Sequence, residues 1–270
     1  MEPHGLKVRD TPFTVVAIWC WYDGRAFHGY QAQQGVRTIQ SEVLRAFADA
    51  KLPRNPVVAG RTDRGVSARM QVLSAKVLRD VDPVSVAERL APHLPPDIGV
   101  VMSRAAPQGF HAAFSACSKT YQYELAREQA GDVSLLREAA ALVPGTRDFC
   151  VFHFKTSDRR PRRVDAVEVL EHERGVTLRF VGEQFARYMV RMLTGALTAV
   201  ARGELSLEVL NAGLVEQRQF HCPTAPPEAL TLWSVGYPSD VDPFTEKERA
   251  APVSAFTSSR ERARLFATPT

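Results

Sequence analysis

Several features that assign a chain to a protein class at once are missing from this sequence. It has no run of about 18 apolar residues, and no apolar segment follows its basic N-terminal residues, so we expect neither a membrane span nor a secretory signal. The four cysteines are scattered singly without a CxxC pair, which disfavours a zinc site or a disulfide framework and favours a reducing cytoplasm. GxGxxG and Walker patterns are also missing, so no cofactor and no metal are predicted.

An excess of charge of either sign is missing as well. The 270 residues include 34 Lys and Arg against 30 Asp and Glu, which gives a formal net charge of +4. Such a balance permits a polyanionic partner but does not require one. Hydrophobic residues make up 45% of the chain, as in ordinary globular proteins, and the length suits one large domain or two smaller ones.

The apolar pattern of the first part of the chain predicts a βαββαβ unit. Its elements are a strand at Phe13–Tyr22, a helix capped by Thr38 that runs to about Lys51, strands at Val57–Ala59 and Leu73–Val77, a helix capped by Asp82, and a strand at Ile98–Met102. This order of elements is the ferredoxin-like arrangement. We therefore expect residues 1–105 to form one ferredoxin-like half.

The same order recurs in the second part of the chain. Its elements are a strand at Thr120–Leu125, a helix at Ser134–Val143 behind the cap Asp132, a hairpin of Val164–Leu170 and Val176–Val181, helices from about Gln184 to Arg202 and after Ser206, and a strand at Leu230–Tyr237. The predicted fold is α+β, with a second ferredoxin-like half at 106–238 and a ligand cleft between the halves. Residues 239–270 are polar and lack apolar periodicity, which predicts a disordered tail.

One loop of the first half is too elaborate for a simple hairpin. Asp63 lies between Arg61 and Arg64, and the glycines on either side of this cluster permit unusual backbone angles. The flanking cations are expected to keep the carboxylate ionised, with a lowered pKa, and thus available as a nucleophile or base. A structural loop stabilised by ion pairs is the alternative interpretation of the same residues.

Six ordered segments resemble motifs of the TruA family of tRNA pseudouridine synthases. They are YDGRAFHGYQAQ from Tyr22, GRTDRGVSA from Gly60, FHAAFSA from Phe110, KTYQY from Lys119, MVRMLTG from Met189, and the closing strand from Ala225 to Pro238. The resemblance covers residues 13 to 238. It implies the family's pseudouridine synthase fold, in which two such halves form a central antiparallel sheet.

The resemblance also implies a reaction, the isomerisation of uridine to pseudouridine in tRNA without a cofactor. The base is detached at N1, rotated, and rejoined to the ribose through C5. Asp63 matches the family's essential aspartate, which attacks ribose C1′ or the uracil ring or removes a ribose proton. The typical bacterial substrate implies a target in the anticodon stem-loop, at tRNA positions 38–40, and the assembly common in the family implies a homodimer. The alternatives are a non-catalytic tRNA-binding or RNA-chaperone relative and a synthase with a different RNA target position.

Other site residues follow from the same resemblance. Arg191 matches the arginine that pairs with the aspartate, Tyr121 matches the active-site tyrosine, and Arg61 matches the basic residue that enters the base stack when the target uridine leaves it. The alternative for Arg191 is a solvent-facing or structural role, and the alternative for Tyr121 is packing in the core. Arg61 could instead form a structural pair with Asp63. The remaining residues expected to contact RNA are Arg64, Lys119, Arg159, Arg160, Arg162 and Arg163.

Overall fold

Segments rich in β-branched and aromatic residues form the strands of one large sheet. The computed structural model describes residues 12–154 and 157–250, and over these residues the sheet has nine strands. They are β1 (Phe13–Tyr22), β2 (Val57–Val58), β3 (Ser67–Leu78), β4 (Ile98–Ala105), β5 (Ser118–Ala126), β6 (Gly145–Arg147), β7 (Arg162–His172), β8 (Gly175–Gly182) and β9 (Leu230–Gly236).

Amphipathic helices lie between these strands, and three of them begin at the predicted caps. The side chains of Thr38, Asp132 and Ser206 each accept a hydrogen bond from a backbone N–H of the first helical turn. The helices of the described residues are α1 (Ile39–Asp49), α2 (Ser85–Leu90), α3 (Arg127–Ala130), α4 (Val133–Ala141), α5 (Met189–Ala201), α6 (Leu207–Val215) and α7 (Glu246–Ala250).

The strand order confirms the predicted α+β fold with its central, mostly antiparallel sheet. The first half contributes the order β4-β1-β3 with β2 also paired to β3, and the second half contributes β9-β5-β8-β7, with β6 on the outer edge. In each case the fourth strand of the unit lies beside the first, and the third lies beside the second, as in a ferredoxin-like unit. The halves join where β3 pairs with β9 in parallel, Ser67 opposite Thr231 and Ala68 opposite Leu232.

Aromatic side chains and one buried arginine support this junction. The guanidinium of Arg69 on β3 lies 5.6 Å from the ring of Trp19 on β1 and 4.9 Å from the ring of Trp233 on β9. Only 5% of Arg69 is exposed. Because the cation contacts rings on both sides of β3, it ties strands of the two halves together.

Two predicted helices begin later than their sequence patterns indicate. The helix expected from about Gln184 begins at Met189, because Tyr188 takes a left-handed conformation with φ of 67°. The helix expected directly after Asp82 begins at Ser85, and the Asp82 carboxylate accepts the backbone N–H of Val84 in a preceding turn instead. Residues 184–188 therefore form a non-helical strap that ends in a turn in front of α5.

Residues 239–250 pack against the molecule, which corrects the prediction of a disordered tail for this part of the chain. Phe244 is buried, with its ring 6.0 Å from that of Trp19. Arg249 donates to both oxygens of Asp242, at 2.6 and 2.7 Å, and to the carbonyl of Val235 on β9. Single anchors of this kind leave no periodic pattern in a sequence. Residues 251–270 lie outside the described part of the chain.

Within the described ranges, no helix is both long enough and apolar enough to cross a membrane. The core is shared by both halves, and large side chains such as Trp19, Phe47, Phe152 and Phe180 are fully buried in it. α5 is buried along almost its whole length, which explains the high apolar content of its sequence.

We predict that Arg249→Ala lowers the free energy of unfolding by about 2 kcal/mol, because it leaves the largely buried carboxylate of Asp242 without its partner. Urea unfolding of the full chain measures the change. The control is Arg202→Ala, which removes the more exposed pair with Glu204 and is expected to cost under about 1 kcal/mol. Equal effects of the two substitutions would contradict an anchoring role for residues 239–250.

Candidate active site

The loop that carries Asp63 connects β2 to β3 and is fastened by backbone hydrogen bonds. The N–H of Tyr30 donates to the carbonyl of Thr62 at 3.0 Å, and the N–H of Gly65 donates to the carbonyl of Phe27 at 3.3 Å. Gly65 has a φ of 83°, a conformation that favours glycine. The loop is therefore held against the motif that begins YDG at Tyr22, although the two motifs are far apart in the sequence.

A buried network of hydrogen bonds from neighbouring strands also supports this loop. The side-chain amide of Gln71 donates to the carbonyl of Gly60 at 2.7 Å and to the hydroxyl of Tyr22 at 3.1 Å. The Tyr22 hydroxyl lies 2.9 Å from Oγ1 of Thr62. Gln71 and Tyr22 are completely buried, so these hydrogen bonds form away from water and limit the movement of the loop.

The side chain of Asp63 is largely buried and faces positive groups of the second half. Oδ2 lies 4.0 Å from Nη1 of Arg191, and the backbone N–H of Tyr188 also favours the charged form of the carboxylate. Burial nevertheless raises the pKa of Asp63 above its ordinary value, because the loss of hydration outweighs the opposing effects of Arg191, Arg187 and the Tyr188 N–H. The expected lowering of this pKa is therefore wrong.

The side chain of Arg191 is positioned by a hydrogen bond and an aromatic contact as well as by charge. Its Nε donates to the carbonyl of Ala225 at 2.8 Å, and its guanidinium lies 4.9 Å from the ring of Tyr188. The side chain is 14% exposed. Since one N–H group is committed to Ala225, the guanidinium reaches Asp63 only at long range, and the pair leaves space beside the carboxylate.

Tyr121 and Lys119 approach the same place from β5. Tyr121 is buried, its ring packs edge-on against that of Phe185 at 5.4 Å, and burial together with the charge of Asp63 raises its pKa. The ammonium of Lys119 is also buried, which lowers its pKa, while Glu183 opposes the shift. The two side chains lie on one face of β5 because they are two residues apart.

A cleft of about 1000 Å³ lies between the two halves and contains most of the predicted site residues. Cations outnumber carboxylates in its lining, so the cleft is basic although the whole chain is nearly balanced. The predicted residues that line it are Arg61, Asp63, Arg64, Lys119, Tyr121, Arg160, Arg162 and Arg191. Within the described residues, no group of three or more His, Cys, Asp or Glu side chains is placed to hold a metal ion.

Comparison with known proteins identifies the family. A family model described as tRNA pseudouridine synthase matches residues 139–238. The chain is 37% identical to tRNA pseudouridine synthase A of Thermococcus kodakarensis over 83% of its own length and 85% of the relative's length. The chain belongs to the tRNA pseudouridine synthase A family. The corresponding synthase of Pyrococcus furiosus is 35% identical, with 82% of this chain and 83% of the relative covered, and that of a Geobacillus species is 34% identical, with 80% and 95% covered.

Family membership makes this chain an isomerase of the pseudouridine synthase type. The cleft is the candidate active site of this isomerase. The TruA resemblance of the sequence motifs is confirmed by these relatives.

The four arginines around Pro161 differ in their place relative to the cleft. Arg160 and Arg162 line it, whereas Arg159 and Arg163 do not.

Each of these arginines has an acidic neighbour in this synthase. Arg160 and Arg162 both pair with Asp158, at 2.9 and 2.8 Å. Arg159 pairs with Asp148 at 3.1 Å and Arg163 with Asp165 at 2.8 Å. Arg162 is 5% exposed, so it organises the loop, while Arg160 is 77% exposed and remains accessible to an anion from the cleft.

Sequence patterns missed the places of Phe185 and Tyr188 in the lining of the synthase cleft. Both line the cleft because residues 184–188 are not helical, whereas a helix through this segment places them differently. His153 is a further lining residue, with Nε2 3.0 Å from the carbonyl of Asp158. The aromatic and basic residues 185–188 (FARY), just before the apolar run of α5, were the only sequence feature that could have indicated this lining. The left-handed conformation of Tyr188 has no sequence signature.

We predict that Asp63→Asn raises the midpoint of thermal unfolding at pH 8 by roughly 2–4 °C. The folded state raises the pKa of Asp63, so wild-type stability falls as the pH rises through that pKa, and the uncharged asparagine avoids this loss. The difference is expected to shrink as the pH falls toward 4, near the ordinary pKa of about 3.9. Thermal unfolding followed by circular dichroism across this pH range is the measurement.

Asp158→Asn is the control of opposite sign. The side chains of Arg160 and Arg162 lower the pKa of Asp158, so the carboxylate stabilises the fold above its ordinary pKa, and the stabilisation is lost as the pH falls through the lowered value. The asparagine variant should therefore be less stable than wild type at pH 8. A lower midpoint for both variants at pH 8 would contradict the electrostatic account of Asp63.

Proposed function

We propose that this protein isomerises uridine to pseudouridine in the anticodon stem-loop of tRNA, at positions 38–40, by a cofactor-free mechanism that depends on Asp63. The observation that carries the proposal is the position of that carboxylate, buried in a basic cleft with Arg191 beside it and Tyr121 among the lining residues. A cytoplasmic location agrees with this substrate and with the four free cysteines of the structure.

The size and charge of the cleft support base flipping. A uridine in a stem or loop must leave its stack before the bond between C1′ and N1 is accessible, at a cost of a few kcal/mol. Arg61 lies on the same loop as Asp63, so its guanidinium can take the place of the extruded base while the uridine enters the cleft. Arg64, Lys119 and Arg160 then provide positive charge for the RNA backbone.

Asp63 is the group that starts the reaction. The bond from C1′ to N1 breaks, the uracil rotates, a bond from C1′ to C5 forms, and the proton on C5 is lost while N1 gains one, so the product is an isomer of the substrate. The ionised carboxylate serves as nucleophile at C1′ or at the ring, or as base toward a ribose proton, and all three need the charged form. Arg191, Arg187 and the Tyr188 N–H favour that form, while burial makes it weakly hydrated and hence reactive.

Tyr121 acts through its ring in this scheme. The raised pKa of its phenol keeps the hydroxyl protonated at neutral pH, which makes tyrosinate a rare species. Stacking of the ring against the flipped uracil, with the hydroxyl as a hydrogen-bond donor, fits that state better than removal of the C5 proton. Phe185 holds the ring from the other side by its edge-on contact.

We predict that Asp63→Asn abolishes tritium release from tRNA labelled at C5 of uridine and changes tRNA affinity only a few-fold. The substitution removes the reactive carboxylate but preserves its size in the loop. Asp49→Asn is the control, since Asp49 is an exposed residue of α1 that pairs with Arg45. Normal release by the Asp63 variant would exclude this residue as the catalytic group, and tRNA binding without release by wild type would favour the non-catalytic alternative.

The position of the target is tested in the same assay by changing the RNA. Labelled tRNA transcripts with uridines only at positions 38, 39 or 40 should release tritium, and transcripts with cytidine at those three positions should release none. A cytidine-substituted transcript that retains full release would place the target elsewhere in the tRNA, while the proposed chemistry would stand.

We also propose a homodimer formed through the region Leu205–Val215. Val209 and Val215 on α6 are 37% and 57% exposed, which leaves two apolar side chains on the surface of the single chain. Light scattering should give a mass of twice 29.9 kDa, and Val215→Glu should reduce it to the single-chain value. Leu78→Glu, a substitution at an exposed apolar residue of β3, should leave the dimer unchanged. A single-chain mass for wild type would overturn this assembly.

A further inference from the structure

A cluster of two aromatic rings and one cation stands at the edge of the cleft, and the mechanism above does not use it as a binding surface. It consists of Phe154, Arg187 and Tyr188, and we call it the aromatic ledge. Phe154 is 60% exposed although its neighbours Phe152 and His153 are buried. Its ring meets that of Tyr188 at 5.6 Å and an angle of 74°.

The cation of the ledge is stacked on aromatic rings and has no acidic partner among the described residues. The guanidinium carbon of Arg187 lies 4.9 Å from the ring centroids of both Phe154 and Tyr188. Nη2 donates to the Tyr188 hydroxyl at 3.2 Å. Its charge helps to oppose the raised pKa of Asp63 but stays exposed to solvent. A planar cation that lies over aromatic rings and has no ion pair within 4 Å among the described residues is suited to an anionic, aromatic ligand.

The ledge lies close to the catalytic carboxylate. The N–H of Phe154 donates to the carbonyl of Arg187 at 3.1 Å, which fixes the two segments to each other. The ring of the next residue, Tyr188, lies 4.9 Å from the guanidinium of Arg191, which faces Asp63 at 4.0 Å. Arg187, Tyr188 and His153 also line the cleft, so the exposed ring of Phe154 stands beside its entrance. A ligand on the ledge therefore lies next to whatever occupies the cleft.

We propose that the aromatic ledge binds an unpaired base of the RNA adjacent to the flipped uridine, with the base stacked on Phe154 and its phosphate near Arg187. Aromatic side chains beside cations are typical surfaces for single-stranded nucleic acid, since every base has a flat π face and a charged backbone. The ledge would hold the neighbouring nucleotide after its stacking partner has left. This inference relies on the proposed function for the choice of RNA as the ligand.

Charge favours RNA over an apolar protein surface as the occupant. A second copy of the chain that covered Phe154 would bury the guanidinium of Arg187 without a counter-ion, which is unfavourable. A phosphate supplies that counter-ion, and a base supplies the flat surface. The cleft beside the ledge is also lined by Arg160 and Arg64, which provide further positive charge for the RNA backbone.

The test compares two single-stranded probes of equal length, a twelve-nucleotide oligouridylate and an abasic ribose-phosphate oligomer. Phe154→Ala should weaken binding of the oligouridylate about tenfold, the loss of one base stack, and should leave the abasic oligomer unaffected. Phe154→Tyr should restore binding, whereas Phe154→Leu, apolar but not aromatic, should not. Arg187→Gln should weaken binding of both probes, because it removes charge.

Phe13→Ala is the matched control, because Phe13 is an exposed phenylalanine at the opposite end of β1. Tyr22, at the other end of that strand, contacts the catalytic loop, so Phe13 lies roughly 30 Å from the site at 3.3 Å per residue. This variant should bind both probes as wild type does. Thermal unfolding of every variant checks that the fold is intact.

The outcomes separate the ledge from the proposed reaction. Unchanged oligouridylate binding by Phe154→Ala, with tritium release by wild type, would overturn the ledge and leave the reaction standing. Weaker oligouridylate binding by this variant without tritium release by wild type would support the ledge and overturn the reaction. Equal weakening for both probes would also overturn the ledge, since a stacking site requires a base. A change in molecular mass for Phe154→Ala would identify a second copy of the chain as the occupant.

Discussion

Two residue pairs between β3 and β9 join the halves of this protein, and the geometry of the cleft depends on them. Ser67 and Ala68 follow the Asp63 loop directly, and they lie opposite Thr231 and Leu232. The junction thus brings a loop of the first half against β5, α5 and the strap of the second half. A shift of this register by one residue would turn the side chains of β3 to the opposite face and separate Asp63 from Arg191.

The surroundings of Asp63 reflect opposing requirements of stability and chemistry. Burial in the cleft raises the pKa of the carboxylate, and Arg191, Arg187 and the Tyr188 N–H act against that rise without cancelling it. Full neutralisation by a close ion pair would stabilise the fold but would occupy the carboxylate oxygens. The separation of 4.0 Å from Arg191 leaves them accessible, so the molecule keeps a reactive group at some cost in stability.

Most of the fold was predictable from local pattern. The strands, the two ferredoxin-like units and the caps Thr38, Asp132 and Ser206 follow from the apolar period and from side chains that accept backbone N–H groups. The errors occur where a tertiary contact opposes that pattern. Tyr188 delays the start of α5 through its left-handed backbone, and Arg249 anchors a polar segment by a few hydrogen bonds to Asp242 and Val235.

The sequence by itself determined the family, the α+β class and the identity of Asp63, Tyr121 and Arg191 as candidates, because motifs and periodicity are local properties of the chain. Tertiary structure decided the direction of the Asp63 pKa shift, the choice of Arg160 over Arg159 for the cleft, and the contact of the exposed Phe154 with Tyr188 of the cleft lining. Burial and the distances between charges depend on segments far apart in the sequence, so they exist only once the halves have joined.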